Sequence, residues 1–187
     1  MVFVRNGEIS PEVDRIWTEA VAHVEGGAFR SAIHGPEHWT RVERNGLFLC
    51  GYVPEADPLI VRMFAACHDA ARETDGVDRE HGPRAVELIE AWGPRLSPDQ
   101  LDVLIEAVSI HTTARHARDM SPTLQVCLDA DRLDIARAGL IPDERYMSTR
   151  AGQTLVRDGR IPTLDQVDVA ITRPELLRAT PWPPIPC

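Results

Sequence analysis

The stretch Leu59-Ile60-Val61-Arg62-Met63-Phe64-Ala65-Ala66-Cys67-His68-Asp69 decides the fold. Its first nine residues are apolar except for Arg62. A helix over them has no polar face to give to water and belongs at the centre of a core. Pro58 stands where a first helical turn tolerates proline, so the helix is expected from Pro58 to Ala71. It then presents His68 and Asp69 in the interior, where an unpaired carboxylate is expensive.

Working outward, Pro and Gly cut the rest of the chain into helix-sized pieces. Ser10-Pro11 opens a helix to Val24, with Val13, Ile16, Trp17, Ala20 and Val24 on one face, and Gly26-Gly27 ends it. Gly35-Pro36 opens a second, through about Gly51. A fourth runs from about Glu80 to Trp92, before Gly93-Pro94. Ser97-Pro98 starts a fifth that ends near Thr113, and Pro122 a sixth that continues through Ala138. After Gly139 the pattern weakens, with short helices expected within Pro142–Arg157 and Thr163–Ile171. The tail Pro181–Cys187 is too rich in proline for helix and is expected as an extended strap or disorder. There is no internal repeat and no strand pattern. The expected architecture is an all-α bundle.

The chain has 187 residues, 43% hydrophobic and 26% charged, a globular composition that suits one domain over residues 1–187. Aromatics are only 5%, so aliphatic and Ala-rich helix packing is expected to dominate. The net charge is −9, which argues against a nucleic acid polymer or an anionic membrane as partner. All 20 basic residues are Arg. Without Lys, Schiff-base chemistry and P-loop phosphate binding are excluded. Cys50, Cys67, Cys127 and Cys187 form no C-x-x-C pair and read as buried free thiols of a reducing compartment. Met1–Ser10 is too short and polar for a signal peptide, and no apolar run approaches the roughly 18 residues a membrane span needs. A cytoplasmic protein is expected.

Chemistry shows in where His and Asp fall. His38 shares a helix face with Val42 and Leu49, and His81 with Ala85, Leu88 and Trp92. His111 aligns with Leu104 and Val108, Asp131 with Cys127 and Leu128, and His68-Asp69 ends the buried helix. A single His on an apolar face is usually a hydrogen-bonded core residue. Asp129, Asp131 and Asp134 can equally cap helices or pair with Arg. Five successive helices each turning such a group inward are better explained by one shared metal site, which bundle cores commonly build.

The ordered set resembles the HD-domain superfamily of metal-dependent phosphohydrolases. The resemblance rests on His38-Trp39-Thr40-Arg41-Val42, on His68-Asp69 after an apolar helix, and on Asp129-Ala130-Asp131-Arg132-Leu133-Asp134 behind them. It covers roughly residues 33–139, with 140–187 as an extension outside it. It implies an HD-type helical bundle with His38, His68, Asp69 and Asp131 as primary metal ligands. It also matches His81 and His111 to the further ligands of dinuclear members, hence one or two ions. Imidazole and carboxylate suit Mn, Fe, Co, Ni or Zn.

The implied activity is phosphoric ester hydrolysis of a nucleotide or another small phosphorylated metabolite by a metal-activated water. Two divalent ions against the two carboxylates would leave the pocket positive within an acidic protein and attract an anion. Asp69, Arg72 and Arg84 are the candidate catalytic residues. Arg72 follows Asp69 by three and Arg84 follows His81 by three, with Arg132 a further phosphate-binding candidate beside Asp131. Arg suits bidentate phosphate contact. His34 and His116 are spare. Two alternatives stand beside this reading. One is a mixed-valent diiron oxygenase of the HD fold, disfavoured because Arg72 stands where those proteins carry Lys. The other is a non-catalytic nucleotide-sensing domain, disfavoured by the complete ligand set.

Overall fold

The computed structural model describes residues 9–160, 162 and 170–177. Seven α-helices and no strand occur among them: α1 Pro11–Gly26, α2 Pro36–Cys50, α3 Pro58–Cys67, α4 His81–Trp92, α5 Pro98–Ile110, α6 Pro122–Arg132 and α7 Arg150–Arg157. Five have proline as their first residue. Ser10, Asp57, Ser97 and Ser121 cap four of these by accepting a backbone N–H from the turn they open. The side-chain acceptor satisfies an otherwise orphaned donor, while proline's missing N–H costs nothing there. No helix among the described residues is long and apolar enough to cross a membrane.

Helix α3 is the axle, buried from Ile60 to Cys67 and packed against α1, α2, α5 and α6, while α4 leans on α5. Trp17 and Trp39 are fully buried. Their indole N–H groups donate to Arg62 O (3.2 Å) and His34 O (2.8 Å), which fixes two large apolar plates beside α3. Close approach is specified by glycine. A Cβ on Gly46 would collide with Val61 Cγ1, between α2 and α3. One on Gly82 would lie 2.6 Å from Val108 O, between α4 and α5. Arg62, the one charge on α3, pairs with fully buried Glu43 of α2 and donates to Ala170 O. Glu43 also accepts from Thr172 N (2.9 Å), so the 170–172 segment is strapped across these helices.

Three helix ends fall earlier than the periodicity suggests, and the mildest case is α5, which stops at Ile110 rather than near Thr113. α3 stops at Cys67 with His68 as its C-cap, and Asp69 lies in the following turn, closed by Ala70 N to Cys67 O and Arg72 N to Asp69 O. α6 stops at Arg132 rather than Ala138. Asp134 N bonds to Asp131 O, tightening the chain into a 3₁₀ turn over Ile135–Ala138. Gly139, at φ 74°, then ends that turn. The carboxylate of Asp134 is held by His38 and Arg41 of α2, and these bonds lie just where the α-helix gives way. Beyond it come a 3₁₀ turn, Glu144–Tyr146, and α7. Most of the expected Thr163–Ile171 helix and the Pro181–Cys187 tail lie outside the described residues.

Candidate metal centre

Helices α2 to α6 bring the six expected ligands to one place, and the atoms arrange themselves in two groups. In the first, His38 Nε2 of α2 is 3.0 Å from His68 Nε2 and 3.2 Å from Asp131 Oδ1 of α6. In the second, His81 Nε2, at the start of α4, is 2.8 Å from His111 Nε2, just past the end of α5. Asp69 stands between them. Its Oδ2 is 3.4 Å from His38 Nε2 and 3.5 Å from His68 Nε2. Its Oδ1 is 3.0 Å from His81 Nε2 and 3.7 Å from His111 Nε2. One carboxylate thus faces each group with one oxygen.

The other nitrogen of each ring explains why Nε2 points inward. His68 Nδ1 donates to Phe64 O and Ala65 O (3.2 and 3.1 Å), and His111 Nδ1 to Val108 O (2.7 Å). His81 Nδ1 donates to Asp78 O. His38 Nδ1 donates to Asp134 Oδ2 (2.7 Å), a carboxylate that Arg41 Nε also grips at 2.8 Å. Carbonyls and carboxylates only accept, so the proton of a neutral ring sits on Nδ1 and Nε2 carries a lone pair. Such partners fix tautomer and orientation in metal-ligating histidines.

This supplies a test of fit for a metal. His81 Nε2, His111 Nε2 and Asp69 Oδ1 are three electron-rich atoms converging within one coordination shell. A cation between them turns mutual repulsion into bonding. The same holds for His38, His68 and Asp131. Buried His/Asp groups with these nitrogen and oxygen donors can bind a divalent metal ion, and the donor set alone does not select which.

The electrostatics agree. Burial and the Arg137 charge oppose a proton on His38, yet bonds to Asp131, Asp134 and Asp69 raise its pKa to about 9. The carboxylates draw positive charge to this spot. His68, with burial dominant, is pushed down to about 3 and keeps its lone pair free. Burial alone would raise Asp69 and Asp131. Instead, neighbouring histidines hold Asp69 well below the usual carboxylate range. For Asp131 the Arg137 charge and His38 do the same. Both therefore stay ionised.

Two arginines aim at the cluster from opposite sides. Arg72 is anchored by Nε to Thr74 O (3.2 Å) and Nη2 to Gly76 O (2.9 Å), leaving Nη1 3.5 Å from Asp69 Oδ1. Arg137 is anchored by Nε to Ile33 O (2.9 Å) and Nη1 to Asp134 O (3.1 Å). Its Nη2 then lies 3.3 Å from Asp131 Oδ1 and 3.2 Å from His34 Nδ1. Sequence reasoning missed Arg137, although Asp131, Asp134 and Arg137 recur every third residue. His34 joins the site, its Nδ1 2.9 Å from Asp69 Oδ2.

Other candidates are employed elsewhere. Arg84 donates to Ala71 O and Asp78, holding the loop that orients His81, and does not line the cleft. Arg132 spans Tyr146 O and Ala114 O. Asp129 accepts from Ser148 N and Thr149 N, clipping the start of α7 to α6. His116 does not line the cleft either. The three free thiols among the described residues, Cys50, Cys67 and Cys127, are buried.

The cluster opens onto a cleft of about 1080 Å³ whose walls include Arg72, Arg137, Thr112 and the 140–147 segment. Compared with protein-family models, curated proteins and solved structures, the chain finds no match in any of the three.

Proposed function

We propose that this protein is a metal-dependent phosphohydrolase of HD type, acting on a small phosphorylated metabolite. The observation that carries the reading is the division of Asp69, one oxygen toward His38 and His68, the other toward His81 and His111. Such a carboxylate is suited to sit between two ions in the dinuclear arrangement common to hydrolytic sites. Held by His38, His68, Asp69 and Asp131, and by His81 and His111 with the same Asp69, divalent ions supply a neutral-pH nucleophile from water and positive charge for a phosphoryl group.

The chain's own residues supply the rest. Arg72 and Arg137 each have their guanidinium fixed by two backbone carbonyls and one terminal nitrogen left facing the cluster. They are set to donate to phosphoryl oxygens without first losing side-chain freedom, which is how pre-oriented groups lower a barrier. Asp134 and the four carbonyls keep the imidazoles aimed, and Arg84 keeps the His81 loop in place. Helix α3, buried from Ile60 to Cys67, keeps water from the side of the cluster that it carries.

The test joins metal content to turnover. After anaerobic purification and metal loading, phosphate release from a panel of phosphomonoesters is expected with Mn, Co, Ni or Zn. Two irons per chain, oxygen consumption and no phosphate release would instead identify an oxygenase. Metal without any turnover would leave a binding domain.

A further inference from the structure

Six large apolar side chains are exposed among the described residues: Tyr52, Val77, Met120, Leu140, Ile141 and Tyr146. Val77, Leu140, Ile141 and Tyr146 all line the cleft onto which the cluster opens. Scattered exposed apolar residues need no explanation. Gathered on the walls of a concave site beside polar groups that converge, they fit the apolar part of a ligand.

This wall is braced from below. Arg132, next to Asp131, holds Tyr146 O and Ala114 O at 2.6 Å each. Arg118 donates to Met147 O and Arg145 O (3.1 and 3.0 Å). The Tyr146 backbone is thus tied to the helix that carries a ligand, while the residue remains 44% exposed. Arg115 Cζ lies 5.8 Å from the centroid of the Tyr146 ring. Arg115 also lines the cleft, and its charge acts on Asp143 of the same wall. An aromatic face beside a guanidinium is a stacking surface for a planar π-system, and stacking tolerates many ring types.

We propose that Arg115, Leu140, Ile141 and Tyr146 form a subsite for the leaving group, and that it takes a phosphate ester whose leaving group carries a planar aromatic ring. The proposal rests on the phosphohydrolase reading, and it deepens that reading by specifying what is attached to the phosphate. The occupant is the substrate itself because the patch lines the same cleft as the cluster and as Arg72 and Arg137. A small polyol phosphate or inorganic pyrophosphate would leave this wall uncovered.

The experiment measures binding of two non-hydrolysable probes to the manganese-loaded protein, 2-(2-naphthyl)ethylphosphonate and ethylphosphonate, and separately phosphate release from the two corresponding esters. The naphthyl probe is expected to bind at least about tenfold tighter, in line with base–aromatic stacking. Tyr146→Phe keeps that ratio and Tyr146→Ala brings it toward one, with metal content reporting that the site is intact. Equal binding of the two probes, no binding of either, or a ratio unmoved by Tyr146→Ala overturns the subsite. Phosphate release at equal efficiency from both esters overturns the subsite and leaves the phosphohydrolase reading standing. A binding ratio without phosphate release supports the subsite and removes the phosphohydrolase reading. If Tyr146→Asp instead halves the mass in solution and the ratio is one, the patch belongs to a second copy and the subsite is wrong.

Discussion

The two halves of the cluster hold their imidazoles by the same device but differ in charge. On the α2–α3–α6 side, His38 is oriented by a carboxylate, Asp134, and Nε2 faces two more, Asp131 and Asp69. On the α4–α5 side, His81 and His111 are oriented by carbonyls only and share one carboxylate oxygen, Asp69 Oδ1. The Thr112 hydroxyl, 3.1 Å from His81 Nε2, lies on the cleft side. A carboxylate contributes a bond and a compensating charge, an imidazole a bond alone. An ion in the first group would thus be held more firmly than one in the second.

The largest effect that would break this comparison comes from the shared residue. Asp69→Ala is expected to lose both ions and all turnover, whereas His81→Ala loses one ion of two, both read as metal per chain. Stability should follow, because a ligand present at 100 times its Kd stabilises the native state by about 2.7 kcal/mol. Equal metal loss in the two variants would erase the difference between the halves.

Next in size is the carboxylate behind His38. Asp134→Asn keeps a hydrogen-bond acceptor but removes charge from the first group. Metal affinity there should fall about 10–100-fold, the usual consequence of altering such a partner, with the second group little changed. Competition against a chelator measures both.

Helix spacing offers a smaller perturbation aimed at the other half. Gly82→Ala places a Cβ 2.6 Å from Val108 O, at the contact that brings His81 and His111 together. It should cost about 1–3 kcal/mol of stability through overpacking and weaken the second ion more than the first.

How much of this is legible in the sequence differs along the chain. Proline after a capping residue gave α1, α3, α5 and α6 their starts because that signal is local. The apolar run of α3 marks the centre because nothing in it but Arg62 can face water. The candidate ligands follow from an inward His or Asp on each helix. The roles within 129–137 do not follow. Asp129, Asp131 and Asp134 are chemically identical, and their duties as clamp, ligand candidate and orienter depend on where α6 tightens into a 3₁₀ turn. That break also turns Arg137 into the site, so a helix extended to Ala138 hides it. Arg84 misleads for the opposite reason. Its spacing from His81 fits a phosphate contact, but the carbonyl of Ala71, supplied by a distant turn, captures it.

The smallest effect lies away from both halves and serves as a control on the core. Burial pushes Cys50 and Cys67 up to about 12. A thiol whose folded pKa is raised keeps its proton when the unfolded chain loses it. This contribution to stability is complete below about pH 9 and is lost as pH rises toward 12. Denaturant unfolding should therefore give about 1 kcal/mol less stability per thiol at pH 10 than at pH 8. With no Lys in the chain, few other groups titrate in that window, and Cys50→Ala should shrink the difference.

The claim that one carboxylate joins two ion sites is tested most directly by loading the protein with Mn(II), counting the metal and recording its electron paramagnetic resonance spectrum. The account predicts two Mn(II) per chain with a spin-coupled spectrum, reverting to that of an isolated ion in His81→Ala. One Mn(II) per chain in the unaltered protein, or two that show no coupling, would contradict it.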